Sequence, residues 1–207
     1  MLEGVVTTLA ISIFSLLLGL AIGLPLSFLR AYEKELRFFV EAFEKIFRGI
    51  PEIVLMYMFF FGVGSFVQFP FKNTFFTVTF VLGLRSAANQ SQIFRGAIRG
   101  VGEEQMVASR SLGLTRLQSV TLVMMPQVFI FSAPGLGSEY ALLVKDSSYA
   151  YVLGVTDLMT QTEQIARATL DVVTPYVASA FIYILLTFPI ATWLDTWGGR
   201  KKKQLGL

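Results

Sequence analysis

The chain has 207 residues, of which 54% are hydrophobic and only 15% charged, with a formal net charge of +3 and 20 phenylalanines. A soluble domain carries about 25% charged residues, and one of this size has no interior large enough for so much apolar surface, which excludes ordinary cytosolic enzymes, disordered chains and disulfide scaffolds. The absence of Cys and His excludes thiol nucleophiles, imidazole bases, zinc fingers and Cys-ligated clusters.

The first element is the uncharged run from Val5 to Leu29, which at about 1.5 Å per residue crosses a hydrocarbon core of about 30 Å. It is too long for a cleaved secretory signal, and no Lys or Arg precedes it. Ala31 to Arg48 mixes Phe38, Phe39, Phe43, Ile46 and Phe47 with charges at helical spacing, which predicts a helix lying in the membrane interface, or simply an elbow between spans. A second uncharged run covers Ile53 to Phe69; its phenylalanines read as lipid-facing or packing surface. Phe75 to Phe94 contains one charge, Arg85, and Val128 to Val144 one, Glu139. Thr156 to Thr174 predicts a short surface helix, and Pro175 to Leu194 is a third uncharged run. The expectation is an all-α membrane protein, one domain over 1–207, with five transmembrane helices at about 5–29, 53–69, 75–94, 128–144 and 175–194.

Lys and Arg are retained on the cytoplasmic side during insertion. Arg30, Lys34, Arg37, Lys45, Arg48, Arg95, Arg99, Arg110, Arg116 and the tail from Arg200 to Lys203 fall on one side, against Lys72, Lys145 and Arg167 on the other. The N-terminus is therefore expected outside and the C-terminus in the cytoplasm. This sorting of the basic residues by side points to membrane lipid and away from nucleic acid, and the terminal basic run reads as a topology anchor.

Residues 95–126 are too polar to span and too patterned to be slack. Met106, Val107, Leu112, Leu114, Leu117 and Val120 recur near a helical period around Gly113, predicting two short helices that meet at a glycine. Such a loop suits insertion into a groove on another protein or folding back on its own helices.

Ile93 to Ile98 (IFRGAI), Ser111 to Leu114 (SLGL) and Val123 to Pro126 (VMMP), with nine residues between Gly113 and Val123, resemble the cytoplasmic signature loop of binding-protein-dependent ABC importer permeases. FRGIP at 47–51, GLGSEYALLVKDSS at 135–148, GVTDL at 154–158 and LLTFP at 185–189 are similar, in order, to segments of the polar amino-acid permease family. The departures are Val107-Ala108-Ser109 in place of Glu-Ala-Ala, Gln92 in place of Glu, and Arg85 in place of Asn. The resemblance implies an inner-membrane permease with a coupling-helix loop between helices 3 and 4. Its partners would be an ATP-binding cassette subunit, a second identical or homologous permease subunit and an extracytoplasmic amino-acid-binding protein. Coupling would fall to Ala108, Ser109, Gly113 and Leu114, with Glu103 or Glu104 supplying the missing acid. The chain lacks a phosphate-binding glycine loop ending in Gly-Lys-Ser or Gly-Lys-Thr, so it is no enzyme and binds no cofactor; ATP and Mg belong on the partner subunit.

Ionisable groups inside spans call for a partner or a water-filled cavity. Arg85 and Glu139 both fall near mid-depth, where a transporter binds its substrate. There Arg85 would pair with an amino acid's carboxylate and Glu139 accept from its ammonium, with Ser86, Asn89 and Gln90 within reach of a polar side chain. The alternatives are that Arg85 and Glu139 pair with each other, or that Arg85 faces a partner subunit. Lys145 and Asp146 match the family pattern and read either as an outer gate or subunit interface, or as a local ion pair. A different function class is a self-sufficient secondary carrier or channel using Glu139; an intramembrane enzyme lacks any evident nucleophile with its base.

Overall fold

The computed structural model describes residues 1–33 and 35–205; Lys34, counted above among the basic residues, and positions 206–207 lie outside the described residues. Eight principal helices occur among them: α1 (Leu2–Tyr32), α2 (Arg37–Gly49), α3 (Glu52–Phe66), α4 (Thr74–Val101), α5 (Glu103–Ser111), α6 (Arg116–Leu153), α7 (Leu158–Thr169) and α8 (Val173–Leu205).

Local chemistry sets most of the breaks. Ile50 precedes Pro51, whose ring disfavours helical backbone in the residue before it; Ile50 is extended, and α2 and α3 meet at 102°. Asn73 caps α4 by accepting from the Phe76 N–H at 2.9 Å. Gly102 (φ 87°) and Gly113 (φ 85°) take the left-handed backbone that side chains disfavour and so bracket α5. Thr115 and Gln118 then form a capping box, which satisfies two orphan donors and starts α6. Met58–Val63 and Ser119–Met124 are π turns; the second lies just before Pro126, where a helix must accommodate the missing N–H.

The bundle is built outward from α4. Along α1 the buried positions are Gly4, Thr8, Ile11, Ser12, Ser15, Gly19, Gly23 and Ser27, nearly all small, and this seam lies against α4 along most of its length. A Cβ on Gly19 would stand 2.4 Å from Gln90 Nε2, and one on Gly23 2.6 Å from the Ala87 carbonyl. Small residues let helices approach in this way where lipid supplies no hydrophobic drive between them. The contact frees polar groups to bond across it: Ser15 Oγ donates to the Thr79 carbonyl at 3.0 Å, and Gln90 Nε2 to the Leu16 carbonyl at 3.0 Å. α6 packs on α4, and α8 packs on α6, with Gly137 against Ala191 and Gly198 against Ala133. One apolar cluster gathers Ile11, Leu55, Met56, Val78, Val81, Leu82 and Leu143; a second, nearer α5, gathers Phe94, Ile98, Met124 and Val128.

α1, α6 and α8 are each long and apolar enough to cross a membrane, and the bent pair α2–α3 makes a fourth candidate. α4 is long enough but more polar, because Thr77, Ser86, Gln90 and Ser91 are buried against neighbouring helices. The stretch expected as a loop, 95–126, opens as the last turns of α4, where Gly100 lies against Phe131. Gly113 does not join two short helices: after α5 the second helix runs on unbroken through Pro126 as α6. Spacing could not reveal this, since Pro126 looks like a helix start.

The predicted surface helix at 156–174 is α7. Its cap, Asp157, is fully buried and accepts from the Thr160 N–H at 2.9 Å and the Met159 N–H at 3.2 Å. Burial pushes its carboxyl above the ordinary value of 3.8, outweighing those donors. Protonation of this group thus favours the folded state, and its contribution to stability is expected to decline as pH rises from 3.8 through the raised value. Asp157→Asn, which keeps an acceptor, should flatten that decline in thermal melts taken between about pH 4 and about pH 7.

Candidate functional site

Three polar constellations stand out against the apolar bundle. The first lies at mid-length of α4. Arg85 Nε pairs with Glu52 Oε1 at 2.5 Å, and its Nη1 pairs with Asp146 Oδ2, so one guanidinium joins α3, α4 and α6. One turn on, Asn89 Nδ2 donates to Glu139 Oε2 at 3.1 Å. Glu139 is 3% exposed, and its Oε1 has no hydrogen-bond partner. Three carboxylates therefore gather around one cation, and a fully buried oxygen is left without a donor, an arrangement that is costly unless something fills it.

The predicted site residues are thus partly brought together. Arg85, Asn89 and Glu139 share this cluster. Gln90 sits on the same helix but reaches to α1, its Nε2 donating to the Leu16 carbonyl and to Ser86 Oγ, both at 3.0 Å, while Ser86 stands between Gln90 and the Glu139 carboxylate. Arg85 does not pair with Glu139, because Glu52 and Asp146 take both ends of its guanidinium. Asp146 does not form a local pair with Lys145 either. Lys145 turns to the other side of α6, into a groove of about 480 Å³ lined also by Ser138, Thr187, Thr192 and Asp195 of α6 and α8. Sequence reasoning missed Glu52, although it directly follows Pro51 at the edge of an uncharged run.

The second constellation is centred on Glu44, 2% exposed on α2. Its Oε1 accepts from Ser91 Oγ at 2.8 Å and Arg95 Nη1 at 3.0 Å, and its Oε2 from Gln92 Nε2 at 3.2 Å and from Arg30 Nη1. Arg30 Nη2 also pairs with Glu41 at 2.9 Å. One carboxylate thus ties α1, α2 and α4 together.

The third is α5 and its flanks. Glu103, Glu104, Ala108 and Gly113 are exposed, Leu114 is half-buried, and Ser109 is buried with its Oγ donating to the Met106 carbonyl at 2.9 Å. Val107, Leu112 and Leu117 present uncovered apolar side chains. At the base, Arg116 pairs with Glu33 at 3.0 Å, donates to the Tyr32 carbonyl at 2.9 Å and lies over the Tyr32 ring, which joins the start of α6 to the end of α1. α5 is thus a short helix between two positive-φ glycines, with Val107 and the following Leu112 uncovered among the exposed charges of Glu103, Glu104 and Arg110.

Comparison with known proteins identifies the family. Residues 15–203 match the family model described as binding-protein-dependent transport system inner membrane component. The arginine ABC transporter permease protein ArtQ of Haemophilus influenzae is 32% identical over 90% of this chain and 86% of its own length. The octopine transport system permease protein OccQ of Rhizobium radiobacter is 27% identical over 91% and 84%. Among solved structures, an amino acid ABC transporter crystallised with histidines superposes with a TM-score of 0.82 at 26% identity, over 96% of this chain and 92% of that one. The MetNI methionine ABC transporter, at 22% identity and a TM-score of 0.77, shares the fold. The chain therefore belongs to the family of binding-protein-dependent transport system inner membrane components, as a multi-pass permease subunit of an ABC importer whose ATP is hydrolysed on a partner subunit.

Proposed function

We propose that the chain carries cationic amino acids through the inner membrane, and that the cluster of Glu52, Arg85, Asn89, Glu139 and Asp146 is where it holds them. The observation that carries this reading is the excess of carboxylates over guanidinium, together with the unpartnered Glu139 oxygen. Arg85 is already engaged by two acids, so the cluster's spare valence is negative and suits an ammonium or guanidinium group. The arginine and octopine relatives agree with that sign. Arg85 then acts as a positioning residue that holds Glu52 and Asp146 in place, Ser86 stands beside Glu139 within reach of the substrate, and Gln90 keeps α4 seated on α1. Lys145, facing the α6–α8 groove, belongs to a gate or subunit interface.

The membrane arrangement proposed is a single domain over 1–207 with five spans, N-terminus outside and C-terminus cytoplasmic. α4 counts as a span by its 28-residue length and central position, and α3 as the second span, with α2 lying in the interface before the corner at Pro51. A second permease, identical or homologous, completes the pathway, and an extracytoplasmic amino-acid-binding protein delivers substrate. The ATP-binding subunit, with its ATP and Mg, grips α5 through Glu103, Glu104 and Ala108 and the turn at Gly113 and Leu114, with the buried Ser109 tying the helix from beneath.

The test is substrate-stimulated ATPase of the purified assembly against a panel of amino acids. Stimulation by arginine is expected to exceed that by glutamate, and Glu139→Gln should weaken it about tenfold or more while subunits still co-purify. Equal stimulation by all charges, or an unaltered response in the variant, overturns the assignment. Transport by the chain alone would instead support a secondary carrier working through Glu139.

A further inference from the structure

We infer that α2 carries a binding site for an anionic phospholipid, with the headgroup phosphate held by Lys45 and Arg48; this rests only on the reading that α2 lies at a membrane surface. Helical spacing divides α2 into three arcs. One holds Val40 and Glu44 and is buried against the bundle. The next holds Arg37, Lys45 and Arg48, all exposed, with the half-buried Glu41 between them paired to Arg37. The third, directly beside Lys45, holds Phe38 and Phe39, 74% and 67% exposed, and Ile46. A basic arc adjoining an uncovered aromatic arc is the layout that sets an interfacial helix at the level of the headgroups with its rings in the acyl region.

Charge complementarity names the occupant. A cavity of about 430 Å³ opens between α2 and α4, lined by Arg30, Glu41, Glu44, Lys45, Arg48 and Arg95 among others. The two acids are consumed inside it: Glu44 by Arg30 and Arg95, and Glu41 by Arg30 and Arg37. Among the described residues no acid lies within ion-pair distance of Lys45 or Arg48, and Glu41, whose charge Lys45 also feels, is already shared by Arg30 and Arg37, so the rim keeps an excess of positive charge above a neutralised floor. Basic pockets between helices at a membrane surface take anionic headgroups. A phosphodiester there satisfies both cations, while its acyl chains lie along Phe38, Phe39 and Ile46. A water-soluble anion would leave those rings bare, and a second protein copy would bring the same positive rim.

The experiment is native mass spectrometry of the permease with its ATP-binding subunit, released from nanodiscs of phosphatidylcholine with and without phosphatidylglycerol. Retention of phosphatidylglycerol over phosphatidylcholine is expected. Each basic residue contributes about a factor of five, so Lys45→Ala with Arg48→Ala should lower phosphatidylglycerol affinity about 25-fold. The charge-preserving swap Lys45→Arg with Arg48→Lys should retain the lipid, as should neutralising Arg200 and Lys201 in the tail. Equal retention of the two lipids overturns the proposal, as does undiminished binding by the alanine pair or loss of lipid in the swap. Displacement of the lipid by inorganic phosphate, or dissociation of a permease dimer on charge removal, assigns the rim to another occupant and overturns it too.

Discussion

Replacing Glu44 with alanine is expected to destabilise the chain by about 3 to 5 kcal/mol, because removing one partner of a buried ion pair strands the other. Two guanidiniums, Arg30 and Arg95, with side chains only 16% and 18% exposed, would lose this partner; Glu41 would still engage Arg30, and Arg95 would be stranded. Ser91 and Gln92 lose their acceptor at the same time. Glu44→Gln, which keeps an acceptor but not the charge, should recover part of the loss, and thermal melting in detergent orders the three forms. An alanine variant that melts with wild type would show that α2 is not held by this carboxylate.

The second large effect is at Gly23. A Cβ there meets the Ala87 carbonyl at 2.6 Å and the Ser91 nitrogen at 3.1 Å, and backbone cannot step aside as a flexible side chain can. Gly23→Leu should force α1 off α4, with a loss at or beyond the upper end of the about 1 to 3 kcal/mol typical of overpacking. Gly49 on α2, where an added Cβ would meet nothing within 4 Å, is the control: Gly49→Ala should leave melting nearly unchanged. Equal melting of the Gly23 and Gly49 variants would refute the close seam.

How much of this is legible in the sequence follows from what local patterns encode. Uncharged runs mark α1, α3 and α8 because hydropathy is a property of each segment, and Arg85 and Glu139 stand out for the same reason. The partners of Arg85 do not, since Glu52 and Asp146 lie 33 and 61 residues away in sequence and only the packing of α3 and α6 on α4 brings them to it. Glu44 is hidden differently: its place on an amphipathic helix reads as solvated polar face, whereas α4 covers it. Gly113 reads as a turn by residue type alone. The continuity of α6 does not show in this way, because Pro126 is a helix start by its chemistry and an interior residue only by virtue of the π turn before it.

The seam between α1 and α4 leaves no slack for sliding: glycine against backbone carbonyl, with the Gln90 amide and the Ser15 hydroxyl bonded across. These two helices must therefore rock as one lever. Whatever strain a working cycle imposes has to be absorbed where regular hydrogen bonding already lapses, at the Ile50–Pro51 corner, the two wide turns, and the glycines on either side of α5.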